Sequence, residues 1–205
     1  MVDRPTTMKY DLFPTEIVRS KCPSITPQDK QEMMDCTDWM IEQGLYDDNE
    51  LTPKYHTKTM LFRDDAPAVW QKLREEFYQA CRNYLETVDS FVQNQDVIEF
   101  TGSGAWTYKG WESLNEKESN PWHDHNPAFL SGVYYLHDPG DGTHGGTEFH
   151  DPRKSEAHGT RMQEILPMEN TWIIFPGWLP HKSRQLPLEE PRYVISANLF
   201  VKVRY

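Results

Sequence analysis

The sequence has no block of Lys and Arg residues, no Cys-x-x-Cys pair and no uninterrupted apolar run of the roughly 18 residues needed to span a bilayer. Lys and Arg number 21 against 32 Asp and Glu, so the 205-residue chain carries a formal charge of −11 at pH 7 with its histidines neutral. That negative charge is spread along the chain and repels phosphate backbones and anionic lipid, so neither nucleic acid nor a membrane is an expected partner. Residues Met1 to Thr7 lack the basic stretch and apolar core of a secretory leader. Cysteine is scarce: Cys22, Cys36 and Cys81 form an odd set, which suits reduced structural thiols and a cytoplasmic location better than a disulfide framework. What is present excludes disorder. Apolar residues make up 37% of the chain and aromatics 13%, including seven tryptophans, enough for one substantial core.

The chain divides into a mainly helical support, residues 1–95, and a strand-rich core, residues 96–205, within a single α+β domain. Thr26 followed by Pro27 and Asp29 reads as a helix start. Met33, Cys36, Met40 and Ile41 then fall on one face, and Gly44 closes the helix. A second helix is expected to start at Asp64-Asp65 and to bury Val69, Trp70, Leu73, Phe77, Ala80, Cys81, Tyr84, Leu85 and Val88, which recur every three or four residues. Beyond residue 97 the pattern changes to short β-branched and aromatic runs: Val97–Thr101, Ala105–Lys109, Leu130–Leu136, Thr147–His150, Gln163–Leu166, Thr171–Phe175 and Arg192–Val203. Turn residues separate them without helical segments between, which favours antiparallel sheets in a sandwich or barrel.

Seven of the eight histidines lie between positions 123 and 181. In Trp122-His123-Asp124-His125, residues i and i+2 of an extended segment point the same way, so two imidazoles can bind one metal ion. In Phe175-Pro176-Gly177-Trp178-Leu179-Pro180-His181, a strand runs into a proline-stiffened turn that presents a third histidine. Arg192, eleven residues further on, opens an otherwise apolar strand. There a guanidinium needs a carboxylate, either an edge salt bridge or the bidentate grip of a dicarboxylate ligand.

Taken in this order and spacing, these elements resemble the iron(II)- and 2-oxoglutarate-dependent oxygenase superfamily over residues 100–203. More narrowly, His123-x-His125, Ser131-Gly-Val-Tyr-Tyr135, Asp151-Pro-Arg153 and Pro176-Gly-Trp-Leu-Pro-His181 resemble an uncharacterised bacterial and phage branch. The resemblance implies a double-stranded β-helix, or jelly roll, with the first-half helices packed on one sheet. It further implies iron(II) held by His123, His125 and His181, and 2-oxoglutarate as cosubstrate, its distal carboxylate on Arg192. Tyr135 or Tyr134, Tyr108 and Ser196 are the candidate hydrogen-bonding partners of the cosubstrate, with Asn198 on the same strand face as Ser196.

The departure from the superfamily lies in the metal triad, whose usual carboxylate position is occupied by His125. In a regular extended segment His125 ligates; in a bulged one Asp124 does, and His125 supports it. The activity implied is dioxygenase chemistry: molecular oxygen and 2-oxoglutarate are consumed, succinate and carbon dioxide are released, and a small molecule or peptide side chain is hydroxylated. The rival reading is a cupin-like metal enzyme or binding protein that does not use 2-oxoglutarate, which leaves Arg192 without a task. Trp106, Trp111, Trp122 and Trp178 are candidates for the mouth of the pocket, the loop from Gly140 to Thr160 for a lid, and His137, His144, His150 and His158 for exposed turns. A homodimer is compatible with everything in the sequence.

Overall fold

The computed structural model describes residues 15–47, 54–57, 61–88, 98–110, 122–151, 162–183 and 190–204. In chain order the elements are β1 (Val18–Lys21), α1 (Pro27–Glu42), β2 (Tyr46–Asp47), β3 (Lys54–Thr57), α2 (Ala68–Thr87), β4 (Ile98–Gly110), β5 (Leu130–His137), β6 (Thr147–His150), β7 (Met162–Ile165), β8 (Thr171–Pro176), β9 (His181–Ser183) and β10 (Arg192–Val203).

Local chemistry sets the helix ends. Thr26 is extended at φ −86° and its hydroxyl accepts the Asp29 N–H at 3.2 Å, while Asp29 Oδ2 accepts the Thr26 N–H at 2.7 Å. This reciprocal cap, with Pro27 in the first turn, satisfies donors that helix geometry leaves open. The chain leaves α1 through Gly44 at φ +69°, a left-handed conformation that glycine adopts without penalty. The second helix starts later than the sequence suggests, at Ala68 instead of Asp64-Asp65. Pro67 disfavours helical geometry at Ala66 before it, and the two aspartates instead pair with Arg74 and Arg63.

The strands form two antiparallel sheets, seven strands in the order β1-β8-β5-β10-β4-β3-β2 and three in the order β7-β6-β9. Both helices pack on the larger sheet, where Phe77 of α2 meets Trp172 of β8 with ring centroids 4.9 Å apart. That interface is the main core, from Met33 and Leu73 to Leu130, Trp172 and Leu199, so it joins residues of both halves of the chain. A second, smaller cluster lies between the sheets, with Phe149 of β6 set edge-on to Phe175 of β8 at 4.9 Å, beside Tyr135, Ile173 and Leu179. Two facing antiparallel sheets around an apolar interior form the expected jelly roll.

Three features differ from the sequence pattern. The helical first half also supplies β1, β2 and β3 at the two ends of the larger sheet. Val97–Thr101 and Ala105–Lys109 are not separate strands, since β4 runs unbroken through Gly102-Ser103-Gly104. Pairing with β10 along its whole length, with a register shift at Phe200/Val201, holds those weak strand formers in place. The three-residue β9 is too short to leave a periodic signal.

Candidate functional site

β9 pairs with β6 so that His181 lies opposite Phe149, and His123 bridges to the free side of His181. Two backbone hydrogen bonds fix that bridge: His123 N–H donates to the His181 carbonyl at 3.2 Å, and His181 N–H donates to His123 at 2.9 Å. Two residues on, His125 N–H donates to the Gly177 carbonyl at 2.8 Å. The extended His-x-His segment is thus pinned at one end to the start of β9 and at the other to the turn between β8 and β9. Gly177 is required in that turn, because a Cβ there would lie 2.1 Å from the Ala128 carbonyl oxygen.

The three imidazoles converge, with ring centroids 4.5 Å apart for His123 and His181, 4.9 Å for His125 and His181, and 5.1 Å for His123 and His125. One ligand-type nitrogen from each lies within 4.8 Å of the others, close enough for a single ion to draw on all three. Asp124 is outside this group. It is exposed, and its Oδ1 accepts from the backbone and side-chain nitrogens of Asn126 at 3.0 and 3.2 Å.

His181 is buried against Phe175, 4.7 Å between ring centroids. Its Nδ1–H donates to the Leu179 carbonyl at 2.9 Å, which leaves Nε2 with its lone pair for a metal. At His125, Nδ1 lies 3.5 Å from the amide of Asn198, and Ser131 Oγ in turn donates to Asn198 Oδ1 at 2.8 Å. Burial lowers the pKa of both rings, with nearby His123 adding repulsion: His125 falls to about 4 and His181 to about 3, the latter against the opposing pull of the Leu179 carbonyl. At neutral pH both present the unprotonated form that metals require.

The same pocket extends from the histidines to Arg192 and encloses about 690 Å³ including its open mouth. Tyr108, Tyr135 and Ser196 line it, as the sequence suggests. Tyr135 OH and Thr147 Oγ1 are 2.9 Å apart, and Tyr108 OH accepts from Ser196 Oγ at 3.5 Å. Burial raises the pKa of the Tyr108 phenol, so it stays protonated and able to donate. Arg192 is 3% exposed. It combines a salt bridge with a pocket position, but the pair is buried and β10 is an interior strand of its sheet: its Nε donates to Asp138 Oδ1 at 2.7 Å, its Nη2 lies 2.6 Å from the same oxygen, and its Nη1 donates to the Gly145 carbonyl at 2.7 Å.

Other candidates lie elsewhere. Tyr134 faces the main core and donates to Asn170 Oδ1 at 2.9 Å, leaving Tyr135 as the tyrosine of that pair in the pocket. No described tryptophan lines the pocket: Trp122 stacks edge-on to His150, and Trp178 lines a separate apolar groove with Phe129 and Phe200. His137 sits 3.1 Å from Glu169. Trp111, and the part of the expected lid beyond Asp151, with Pro152, Arg153 and His158, lie outside the described residues. Sequence reasoning missed Thr147, Ser183 and Asp138. Ser183 was within reach, being two residues beyond His181 on a strand, whereas nothing local links Asp138 to a strand 54 residues later.

Residues 109–198 match a family model described as "Putative 2OG-Fe(II) oxygenase". No curated protein matches the chain in sequence. Similar solved structures include a Pseudomonas putida prolyl-4-hydroxylase, with 13% identity, a TM-score of 0.57 and coverage of 93% of this chain and 94% of that one. A Trichoplax adhaerens prolyl hydroxylase, solved with a peptide fragment of the hypoxia inducible factor oxygen degradation domain, has 14% identity, a TM-score of 0.58 and coverage of 90% and 83%. HygX from Streptomyces hygroscopicus, solved with nickel, 2-oxoglutarate and hygromycin B, has 9% identity, a TM-score of 0.53 and coverage of 90% and 82%. At these identities the likeness is one of fold.

Proposed function

From the premise that residues 109–198 belong to the 2-oxoglutarate- and iron(II)-dependent oxygenase family, we propose that His123, His125 and His181 hold the iron and that Arg192 holds the distal carboxylate of 2-oxoglutarate. The observation that carries this reading is the convergence of three imidazoles and one buried guanidinium on a single pocket. The donor set suits the metal, since imidazole is a good ligand for iron and three protein ligands leave positions for cosubstrate and oxygen. It also departs from the common two-histidine, one-carboxylate set, because all three ligands are neutral.

When bound, iron(II) with 2-oxoglutarate supplies the oxidative decarboxylation to succinate and carbon dioxide and the oxidising power that hydroxylates a substrate C–H bond. The chain's own residues orient and shield. The Leu179 carbonyl fixes the His181 ring, and the Ser131–Asn198 pair braces His125. The guanidinium of Arg192 anchors the far end of the cosubstrate, with Tyr135, Tyr108 and Ser196 as hydrogen-bonding groups along its length. Phe149 and Phe175 exclude water beneath His181. No side chain has to act as an acid or base.

The substrate in this reading is a small molecule or a peptide side chain. The whole chain works as one domain, with the helical support of residues 1–95 bracing the catalytic core of residues 96–205 through the shared main core. Among the described residues no helix is long and apolar enough to cross a membrane.

The test is anaerobic loading with iron(II) followed by oxygen and 2-oxoglutarate, with succinate measured. Wild type is expected to form succinate, and His181→Ala and Arg192→Ala to lose it. Absence of succinate together with absence of any iron-linked absorption would move the chain to the cupin-like or binding-protein alternative.

A further inference from the structure

The geometry points to Asp138 as the residue that sets how strongly, and how selectively, the pocket holds the distal carboxylate of its cosubstrate. The inference rests on Arg192 being the anchor for that carboxylate. Asp138 and Arg192 are buried together, with side chains 5% and 3% exposed. Oδ1 of Asp138 accepts a hydrogen bond from Nε at 2.7 Å and lies 2.6 Å from Nη2 in the ion pair. Gly145, from the same β5–β6 connection, accepts from Nη1 at 2.7 Å. One loop therefore grips the guanidinium at two points.

That loop is itself held. The backbone N–H of Asp138 donates to Glu169 Oε1 at 2.9 Å, and Glu169 is paired in turn with Lys30 of α1. Asp141 Oδ1 accepts from Thr143 N at 2.8 Å and from Thr143 Oγ1 at 2.6 Å, while Gly142 and Gly145 take φ values of +72° and +79° that other residues rarely adopt. A Cβ on Gly140 would lie at ordinary van der Waals distance, 3.4 Å, from Asp138 Oδ1, so the loop runs directly alongside the carboxylate. Asp138 is thus a fixed acceptor that holds the guanidinium in one orientation.

The charges suggest why a carboxylate stands there. Imidazoles ligate in the neutral form, so His123, His125 and His181 contribute no charge to the metal. Iron(II) and the 2-oxoglutarate dianion then cancel, and Arg192 would leave the loaded pocket with an excess of one positive charge. Asp138 removes that excess. The negative charge that a carboxylate ligand would place at the metal sits instead behind the arginine, at the opposite end of the pocket. In a dry site this carboxylate also opposes the incoming one, so Asp138 lowers the affinity that Arg192 alone would give.

Calorimetric titration of the anaerobic iron(II)-loaded protein tests the inference. Two probes are used: 2-oxoglutarate, and 5-methyl-2-oxohexanoate, in which an isopropyl group replaces the distal carboxylate. Asp138→Asn keeps an oxygen acceptor for Arg192 and removes the charge. It is expected to bind 2-oxoglutarate roughly fivefold tighter or better with the analogue unchanged, so that the preference between the two rises. A folded variant whose preference is unchanged or falls overturns the inference, and Asp138→Ser is read by the same criterion if the Asn variant does not fold. In wild type itself the partly neutralised arginine should limit the preference to about tenfold, and a preference of about a hundredfold or more contradicts the inference without any variant. Arg192→Ala separates the two levels. If it abolishes the preference, the anchoring role stands whatever Asp138 does; if it leaves the preference intact, the anchoring role of Arg192 fails.

Discussion

The Nδ1 of His181 lies 2.9 Å from the carbonyl oxygen of Leu179, two residues earlier in the same turn. A carbonyl can only accept, so the proton of this imidazole is held at Nδ1 and Nε2 keeps its lone pair, available to a metal. Nitrogen-15 NMR of the metal-free protein at neutral pH should show His181 as the Nδ1–H tautomer. A predominant Nε2–H signal would remove the preorganisation argued for this ligand.

His125 and Asp124 are adjacent, yet only His125 faces its fellow imidazoles. His125→Ala should weaken iron(II) or cobalt(II) binding by about tenfold or more, whereas Asp124→Asn should change it by less than about twofold. Equal losses in the two variants would indicate that the segment rearranges to bring the carboxylate onto the metal.

The buried histidines also make a prediction about pH. An unfolded chain titrates its imidazoles near pH 6.5, while His125 and His181 in the folded protein do so at about 4 and about 3. Between those limits the unfolded state holds more protons than the folded one, so the contribution of these rings to stability is full above about pH 6.5 and is lost as the pH falls toward 4 and 3. Urea unfolding of the metal-free protein should therefore show a stability gap between wild type and His181→Gln that narrows on going from pH 7.5 to pH 5. A gap independent of pH would mean that His181 is not titrating differently in the two states.

Gly132 of β5 faces the helices, where an added Cβ would stand 2.9 Å from Ile174 Cδ1, 2.9 Å from Phe77 Cε2 and 3.0 Å from Trp172 Cε3. Gly132→Ala should destabilise the fold by about 1–3 kcal/mol through overpacking. Thermal unfolding checks this, and an unchanged midpoint would show that the α2 interface yields more readily than its packing suggests.

The sequence made some of these features legible and hid others, for identifiable reasons. The cap at Thr26, the apolar face of α2 and the limits of β6 and β10 depend on neighbouring residues, and a linear reading finds them. The three histidines were legible because ligand spacing and turn chemistry are also local. The unbroken path of β4 through Gly102-Ser103-Gly104 was not, since pairing with β10 overrides weak strand propensity. Asp138 was hidden for the same kind of reason: its partner stands 54 residues later in the chain on the neighbouring strand, and only the register between β5 and β10 brings the two together.

A crystal structure of the protein grown anaerobically with iron(II) and 2-oxoglutarate tests the central claim most directly. The account predicts an anomalous iron peak within about 2.0–2.3 Å of nitrogens from His123, His125 and His181 together, and a cosubstrate whose distal carboxylate rests on Arg192. Iron bound through Asp124, or a cosubstrate whose distal carboxylate points away from Arg192, would contradict it.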